Sequence, residues 1–554
     1  MEFNLAQVID AIATAQPERI ALVHQRRDYS FAEFVDRFRR LGSVIADAGL
    51  GCTTERSELA GHVSGQSHVA LYLNNGPEYL ESMLGAWASR TASFNVNHRY
   101  VADELRYLFN DSGAKAVVFH SAYAPTLAEV LPDLPNIELL LQVADDSGND
   151  LLPGAIDYHA ALDAATPIDL SSCSADDLYI LYTGGTTGMP KGVLWRQADF
   201  FVGALGGSNR RAQREFESMD EVVAGARRRE IRWLTSAPFM HGAAQWIALQ
   251  ALTMGHTVVL PDVADRYDPA SVLEVCDREN VQYLQIVGDA FARPLLDALE
   301  AGAPKPAALE TIISGGAVLH AELKGRLIEG FGVTIRDSIG SSETGVQGSN
   351  VSAGEKASTG NFVPSPGSTV VSEAFDSVLE PGHEGIGWFA MGGRVPLGYL
   401  GDGDKTARTF PVIDGARMAV PGDRARLLED GQIEVLGRDS VTINSGGEKI
   451  FAEEVENAVK THSSVYDAVV CGRPSERWGN EVVAIVQLAA GESFDERGII
   501  DACAGHLARY KWPKVVVCVD LVARSPAGKP DYRWAKTIAE EHAAQAVGPG
   551  HDNG

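Results

Sequence analysis

The apolar run Leu178-Tyr179-Ile180-Leu181-Tyr182 empties into Thr183-Gly184-Gly185-Thr186-Thr187-Gly188-Met189-Pro190-Lys191-Gly192. The run reads as a buried strand, and the glycine-rich stretch after it narrows the choice of fold more than any other. Glycines let the backbone turn its N–H groups inward, where they can bind phosphate oxygens with no side chain in the way. Thr183, Thr186 and Thr187 add hydroxyl donors, and Lys191 adds a positive charge. The stretch reads as a polyphosphate cradle or as a plain glycine-rich turn after a strand. It is not the G-x-x-x-x-G-K-[ST] loop of nucleoside triphosphatases. Gly192 stands where that loop has its magnesium-binding hydroxyl, and Pro190 keeps a helix from starting on the lysine.

Such a loop needs a scaffold that presents strand ends. Residues 69–73 read as a strand, 75–88 as a helix, and 116–120 as a strand followed by helix. That alternation predicts an α/β fold with parallel, doubly wound sheets. Ligands of such sheets bind beyond the strand C-termini, and the glycine-rich loop is expected at one of these ends. Residues 4–50 read as mostly helical, with a short strand pair at 20–23 and Tyr29, and 52–68 as a surface loop. At 554 residues the chain is too long for one ordinary core, so two or more domains are expected. A net charge of −27 disfavours nucleic acid or an anionic membrane as the main partner. The six cysteines show neither C-x-x-C nor metal-ligand spacing and read as reduced thiols of a cytoplasmic protein. The first residues do not read as a signal peptide, and no apolar run approaches a membrane span.

Further along, candidate groups stand alone. His241 reads as sitting at a strand end beside Gly242, either as a packed structural residue or as a catalytic one. Residues 281–294 and 311–317 read as strands followed by loops. Glu343 lies in Asp337-Ser338-Ile339-Gly340-Ser341-Ser342-Glu343-Thr344-Gly345, read as a small-residue loop after a strand. A carboxylate there suits a hard cation such as magnesium, or it is a solvated loop residue. Asp423 follows the turn Val420-Pro421-Gly422, and Gly437-Arg438-Asp439 follows a strand pair. After Asp439 the chain reads as a compact α+β segment, with Gly528-Lys529 in a loop near its end.

The loop at 182–192, Ile339-Gly340-x-x-Glu343, Gly422-Asp423, Gly437-Arg438 and Gly528-Lys529 occur in this order across most of the chain. Together they resemble the adenylate-forming (ANL) superfamily of acyl-CoA synthetases, firefly-luciferase relatives and peptide-synthetase adenylation domains. The stretches VGDAFARPL, DSIGSSETG, INSGGEKIF and RSPAGKPDYRWAK look like bacterial long-chain and steroid-side-chain fatty-acid–CoA ligases. The resemblance implies a large N-terminal domain of parallel sheets with helices and a β-subdomain, residues 1–438. It further implies a small mobile α+β C-terminal lid, 439–543, with the active site between them; the Gly- and Pro-bearing end, 544–554, reads on its own composition as a disordered tail. It implies an AMP-forming acid–thiol ligase using ATP, Mg2+ and CoA. A carboxylic acid, either a fatty acid or a steroid side-chain acid, is activated as acyl-AMP and passed to CoA.

Carried over residue by residue, Thr183, Gly184, Gly185, Thr186, Thr187, Gly188 and Lys191 would hold the β- and γ-phosphates. Thr186 and Glu343 would lie at magnesium. Asp423, with Arg438 beside it, would take the ribose hydroxyls. Gly315, Gly316, Asp337, Ser338, Ile339, Gly340 and Ser342 would border the nucleotide. Lys529 would bridge the acyl carboxylate and phosphate, and His241 would gate the acyl tunnel. Ser445, Gly446 and Gly447 would line a narrow thiol tunnel. Ile339 stands where an aromatic residue usually stacks on adenine, Ser342 replaces a usual threonine, and the hinge falls at Asp439 or Ser440. Asn444 stands where light-emitting relatives carry lysine, which tilts against oxidative chemistry. A stand-alone acyl-AMP ligase loading a carrier protein, and a non-catalytic acyl-adenylate-binding protein, stay open as alternatives. So do peripheral membrane contact and a homodimer.

Overall fold

The computed structural model describes residues 1–183, 189–209, 212, 214–354, 360–445, 448–475, 478–525 and 528–546. The chain divides into two compact units. The first comprises Met1–Ala357, Ser365–Gly367 and Met391–Ala419, and the second Ser358–Pro364, Ser368–Ala390 and Val420–Gly554. The expected boundary at Arg438 therefore falls inside the second unit, where β-strands before it group with the C-terminal segment.

Two parallel sheets build the first unit, as the strand–helix alternation predicts. One has the strand order Ala92–Asn95, His68–Tyr72, Ala114–His120, Leu139–Val143, Ile156–Asp157, every pair parallel. In the other, Ile20–His24, Thr257–Val259, Arg232–Thr235, Tyr283–Ile286, Thr311–Gly315 and Thr334–Ser341 run parallel. Antiparallel strands flank it, Arg27–Ser30 beside Ile20–His24 and Gly345–Ser352 beside Thr334–Ser341. The Val-, Ile- and Leu-rich strands are buried on both faces, as helix-covered parallel sheets require. Helix Pro77–Ala88 opens on a proline at its first turn and is buried along nearly its whole length. No helix among the described residues is long and apolar enough to cross a membrane.

Three local expectations are corrected. Residues 288–300 form a helix rather than a loop, with Pro294 inside it. The stretch after Ile335 is not a loop: Thr334–Ser341 is strand throughout, and only 342–344 turn. Glycines misled there because they serve close strand approach; a Cβ on Gly340 would run into the Gly345 carbonyl oxygen. Finally, Leu178–Thr183 joins neither parallel sheet. It belongs to a small sheet of order Gly398–Tyr399, Lys191–Arg196, Leu178–Thr183, antiparallel throughout. The glycine-rich loop thus joins the two strands of a hairpin instead of capping a parallel strand.

In the second unit, Ile433–Arg438 lies between Asn361–Pro364 and Asp423–Leu427, all antiparallel. Farther on, Val465–Ser475, Gly479–Leu488 and Val515–Val519 form a three-stranded sheet. Helices Ala452–Val459 and Tyr532–Ala546 cover it through separate apolar clusters. The last helix reaches into the stretch expected to be disordered, whose residues 547–554 lie outside the described ones.

Candidate active site

The hairpin pins both ends of the loop. Thr183 stands opposite Lys191 and Tyr182 opposite Gly192. Gly184, Gly185, Thr186, Thr187 and Gly188 lie outside the described residues. Lys191 opens a strand, so no helix starts on it, and its Nζ is 3.4 Å from Asp111 Oδ1. Asp111 also accepts hydrogen bonds from Tyr182 Oη at 2.9 Å and Tyr107 Oη at 3.1 Å. Burial works to lower the Lys191 pKa, but Asp111 and Tyr107 outweigh it and hold the ammonium above its ordinary value. A charged lysine at the loop mouth is what a polyphosphate cradle needs.

Asn95 secures the loop strand from the other side. Its Oδ1 accepts from the Tyr182 N–H at 2.8 Å, and its Nδ2 donates to the carbonyls of Tyr182 at 2.8 Å and Met240 at 2.7 Å. The segment next to His241 is thereby tied to the strand that precedes the loop. His241 is not at a strand end: the strand stops at Thr235, and His241 is the N-cap residue of helix Gly242–Thr253. That helix starts against the loop strand, since a Cβ on Gly242 would meet Leu181 Cδ2 at 2.7 Å.

Glu343 sits in the tight turn between Thr334–Ser341 and Gly345–Ser352. Its N–H donates to Ser341 Oγ at 3.3 Å, and Thr344 Oγ1 accepts from the Ser341 N–H at 3.0 Å. Two contacts fix the turn to the loop hairpin. Trp195 Nε1, on the strand that Lys191 begins, donates to the Ser342 carbonyl at 2.9 Å. Tyr399 Oη, from the strand paired to it, donates to Glu343 Oε1 at 2.8 Å. Tyr399 is buried, with its N–H bonded to Thr406 Oγ1 at 2.9 Å and Lys405 Nζ 3.9 Å from its ring centroid. Gly398 precedes it at φ 154°, where an added Cβ would collide with Thr406. Burial lowers the Lys405 pKa, Glu343 and Asp402 pull it up, and Lys191 pushes it down. Lys191, Lys405 and Glu343 therefore share one electrostatic neighbourhood.

The residues expected around the nucleotide base also assemble. Gly315 ends its strand in register with Ser338, and Gly316 follows at φ 90°. Ile339 is half-buried. Asp337 is 5% exposed, and its Oδ2 lies 2.8 Å from Nζ of Lys324, whose side chain is fully buried. Burial pushes the Asp337 carboxyl up, and Lys324 only partly counters it. Nearby Asp289 bonds the ring and the backbone N–H of His320.

The donor set also bears on magnesium. Among the described residues no group of three or more His, Cys, Asp or Glu could hold a metal ion. A lone glutamate with one oxygen engaged by Tyr399 is not an all-protein cage. It does fit Mg2+, a hard cation that keeps most of its waters and is completed by one or two carboxylates and substrate phosphates.

In the second unit, Asp423 and Arg438 face each other across two antiparallel strands, Arg438 Nε 3.2 Å from Asp423 Oδ1. Gly422 makes the preceding turn at φ 108°. Gly437, at φ 128°, admits the Glu453 carboxyl, which a Cβ would displace. Burial and neighbouring Glu456 push Glu453 up to about 8, against hydrogen bonds from the backbone at Glu453 and Arg438. Asp439 and Ser440 begin a short 3-10 turn, Asp439–Val441, with Ser440 exposed. Ser445 is buried at the end of a hairpin strand, while Gly446 and Gly447 lie outside the described residues. Lys529 is exposed on a loop closed by Ser525 N–H to the Lys529 carbonyl at 2.8 Å. Arg524 anchors that loop through two bonds to Asp467, 2.6 and 2.7 Å, and one to the Gly528 carbonyl at 3.0 Å.

The sequence reading missed Asn95, Tyr107, Asp111, Tyr399 and Lys405. Only Tyr399 and Lys405 had an available signal, a Gly-Tyr followed by Lys-Thr in a polar stretch.

The AMP-binding enzyme family matches residues 9–400, and the AMP-binding enzyme C-terminal domain matches residues 454–529. A medium-chain acyl-CoA ligase, Mig, of Mycobacterium avium is 50% identical over 541 residues, 97% of this chain and 98% of its own length. A 3-oxocholest-4-en-26-oate–CoA ligase of Rhodococcus rhodochrous is 38% identical over 548 residues, 97% of this chain and 96% of its own. In shape the chain is similar to a crystal structure of an anthranilate CoA ligase with anthranoyl-AMP. Its TM-score is 0.82, at 19% identity over 98% of each chain, which makes it a likeness of fold.

Proposed function

The chain belongs to the AMP-binding enzyme family, and from that premise we propose that it is an ATP-dependent acyl-CoA ligase for medium- or long-chain fatty acids or steroid side-chain acids. The names of the Mycobacterium avium and Rhodococcus rhodochrous relatives support the medium-chain and steroid side-chain parts of that range. One observation carries the reading of the site: Lys191 and the Glu343 turn are held by the same strand, Lys191–Arg196. A cation for phosphate and a carboxylate for its counter-ion are thereby kept as neighbours.

In the first step the acid's carboxylate attacks the α-phosphorus of ATP; the new O–P bond forms as the α–β bridge breaks and pyrophosphate leaves. Two anions must meet, so the protein's work is positioning and charge neutralisation rather than covalent catalysis. Lys191 and the loop hold the β- and γ-phosphates. Asp423 accepts the ribose hydroxyls, with Arg438 orienting its carboxylate. The strands ending at Gly315 and running through Ser338-Ile339 border the adenine, Ile339 giving apolar contact in place of stacking. Glu343 and Thr186 would hold Mg2+, which supplies charge neutralisation at the phosphates when bound. Lys529 stabilises charge as it moves onto pyrophosphate. In the second step the CoA thiol attacks the acyl carbon, loses its proton and expels AMP; the segment at Ser445-Gly446-Gly447 is the thiol's proposed approach. His241 borders the acid. With ATP and CoA as co-substrates, the proposed compartment is the cytoplasm.

The test is pyrophosphate release from the purified full chain over fatty, aryl and steroid-side-chain acids, with and without CoA. Release with fatty or steroid acids, and thioester only when CoA is added, is expected. Adenylation without thioester formation would favour a carrier-loading ligase instead, and no release with any acid would overturn the reading.

A further inference from the structure

Glu343 offers two carboxylate oxygens, and Tyr399 treats them unequally. Tyr399 Oη donates to Oε1 at 2.8 Å. The ring that carries this hydroxyl is immobilised from several directions. It is 3% exposed, its backbone N–H is held by Thr406 Oγ1, and its strand pairs with the one that Lys191 begins. Lys405 caps the ring face from helix Gly403–Thr409. The turn around Glu343 is likewise fixed, through Trp195 to the Ser342 carbonyl. With both ends held, the hydroxyl stays on Oε1, and Oε2 is the oxygen that remains for a cation.

We propose that Tyr399 is a positioning residue that makes Glu343 a one-oxygen metal ligand and so biases the site toward Mg2+ over Ca2+. The inference rests on the reading of Glu343 as the metal carboxylate. Mg2+ demands near-ideal octahedral geometry with short bonds, whereas Ca2+ accepts more oxygens and takes carboxylates with both oxygens at once. A hydroxyl engaged on Oε1 opposes that two-oxygen chelation and leaves the single-oxygen mode that Mg2+ accepts. Groups behind a metal ligand typically change metal affinity 10–100-fold when removed, so the hydroxyl is a testable determinant.

The experiment measures ATP-dependent thermal stabilisation of the full chain, with no acid present, across titrations of Mg2+ and of Ca2+. Bound ATP·Mn2+ is followed by electron paramagnetic resonance as a second readout. Wild type, Tyr399→Phe and Glu343→Gln are compared. Tyr399→Phe keeps the buried ring and Lys405's seat. We expect its Mg2+ midpoint to rise about tenfold while its Ca2+ midpoint holds or falls, so that the ratio collapses, with an altered Mn2+ spectrum. If Glu343→Gln weakens stabilisation by metal·ATP but Tyr399→Phe leaves the ratio unchanged, Glu343 is a ligand and the role of Tyr399 is refuted. Equal shifts for both cations in Tyr399→Phe indicate a merely structural ring and also refute it. If Glu343→Gln alters neither titration, the metal assignment itself fails, and this inference with it. Wild type gives a check independent of any variant's folding: equal stabilisation by ATP with Mg2+ and with Ca2+ overturns the proposal.

Discussion

Glu453 shows how one side chain can make stability depend on pH. Its carboxyl is pressed beneath Gly437, beside Glu456 and near Asp423, and is pushed up to about 8 from the ordinary 4.5. In the folded state it keeps its proton between those values, while in the unfolded chain it gives it up. The native state therefore binds more protons in that window, and stability falls as pH rises through it. Below 4.5 both states are protonated, and above about 8 both are ionised, so the change is confined between. Glu453→Gln keeps the shape and removes the proton. Its stability relative to wild type should grow from about pH 5 to about pH 8 and then level off, as read by denaturant midpoints at fixed pH values. A difference that stays flat with pH would place Glu453 in water.

Among elements, the loop hairpin and the segment before helix Gly242–Thr253 are coupled through Asn95. Asn95→Ala would leave one buried N–H and two carbonyls without the partners it supplies. A loss of about 2–4 kcal/mol is expected from unsatisfied buried groups, measured by urea unfolding. A variant as stable as wild type would mean the strand holds itself. This coupling was not legible in the sequence, where Asn95 is one of several polar residues, with Ser93, Asn97 and His98 close by. The alternating strands and helices were legible because each buries an apolar run at its own period. What misled was glycine. Gly340 reads as loop, yet it lets two strands approach, and Gly192 does the same beneath the ring of Tyr182, whereas Gly345 turns the chain at φ 72°. Composition alone does not separate a glycine that turns the chain from one that makes room. Likewise Lys191, Glu343, Asp423, Arg438 and Lys529 were legible as types in a spaced order, whereas the Tyr399–Glu343 bond depends on a strand pairing that spacing does not reveal.

At the scale of the whole molecule, the proposed chemistry divides between half-reactions. Lys529 is exposed on a loop that Arg524 and Asp467 anchor, and its proposed charge develops only as pyrophosphate leaves. Lys529→Ala should lose acyl-AMP formation on the order of 10²-fold, by analogy with loss of one oxyanion donor. It should still convert supplied acyl-AMP and CoA to thioester near the wild-type rate. Ser440→Pro, in the exposed turn Asp439–Val441, should do the reverse, because proline fixes φ and removes a donor where the chain is expected to hinge. Equal slowing of both steps in Lys529→Ala would make the lysine structural and refute the division. The shared anchoring strand also bears on how such enzymes can be recombined. Lys191 and Trp195, Glu343, and Tyr399 and Lys405 lie in three segments that are far apart in sequence but mechanically one piece. A chimera with a crossover between residues 345 and 397 would pair one parent's Glu343 turn with the other's Tyr399. Segments 182–196, 342–344 and 398–406 should therefore be inherited together, as a single transplantable cassette, whatever acid pocket they are asked to serve.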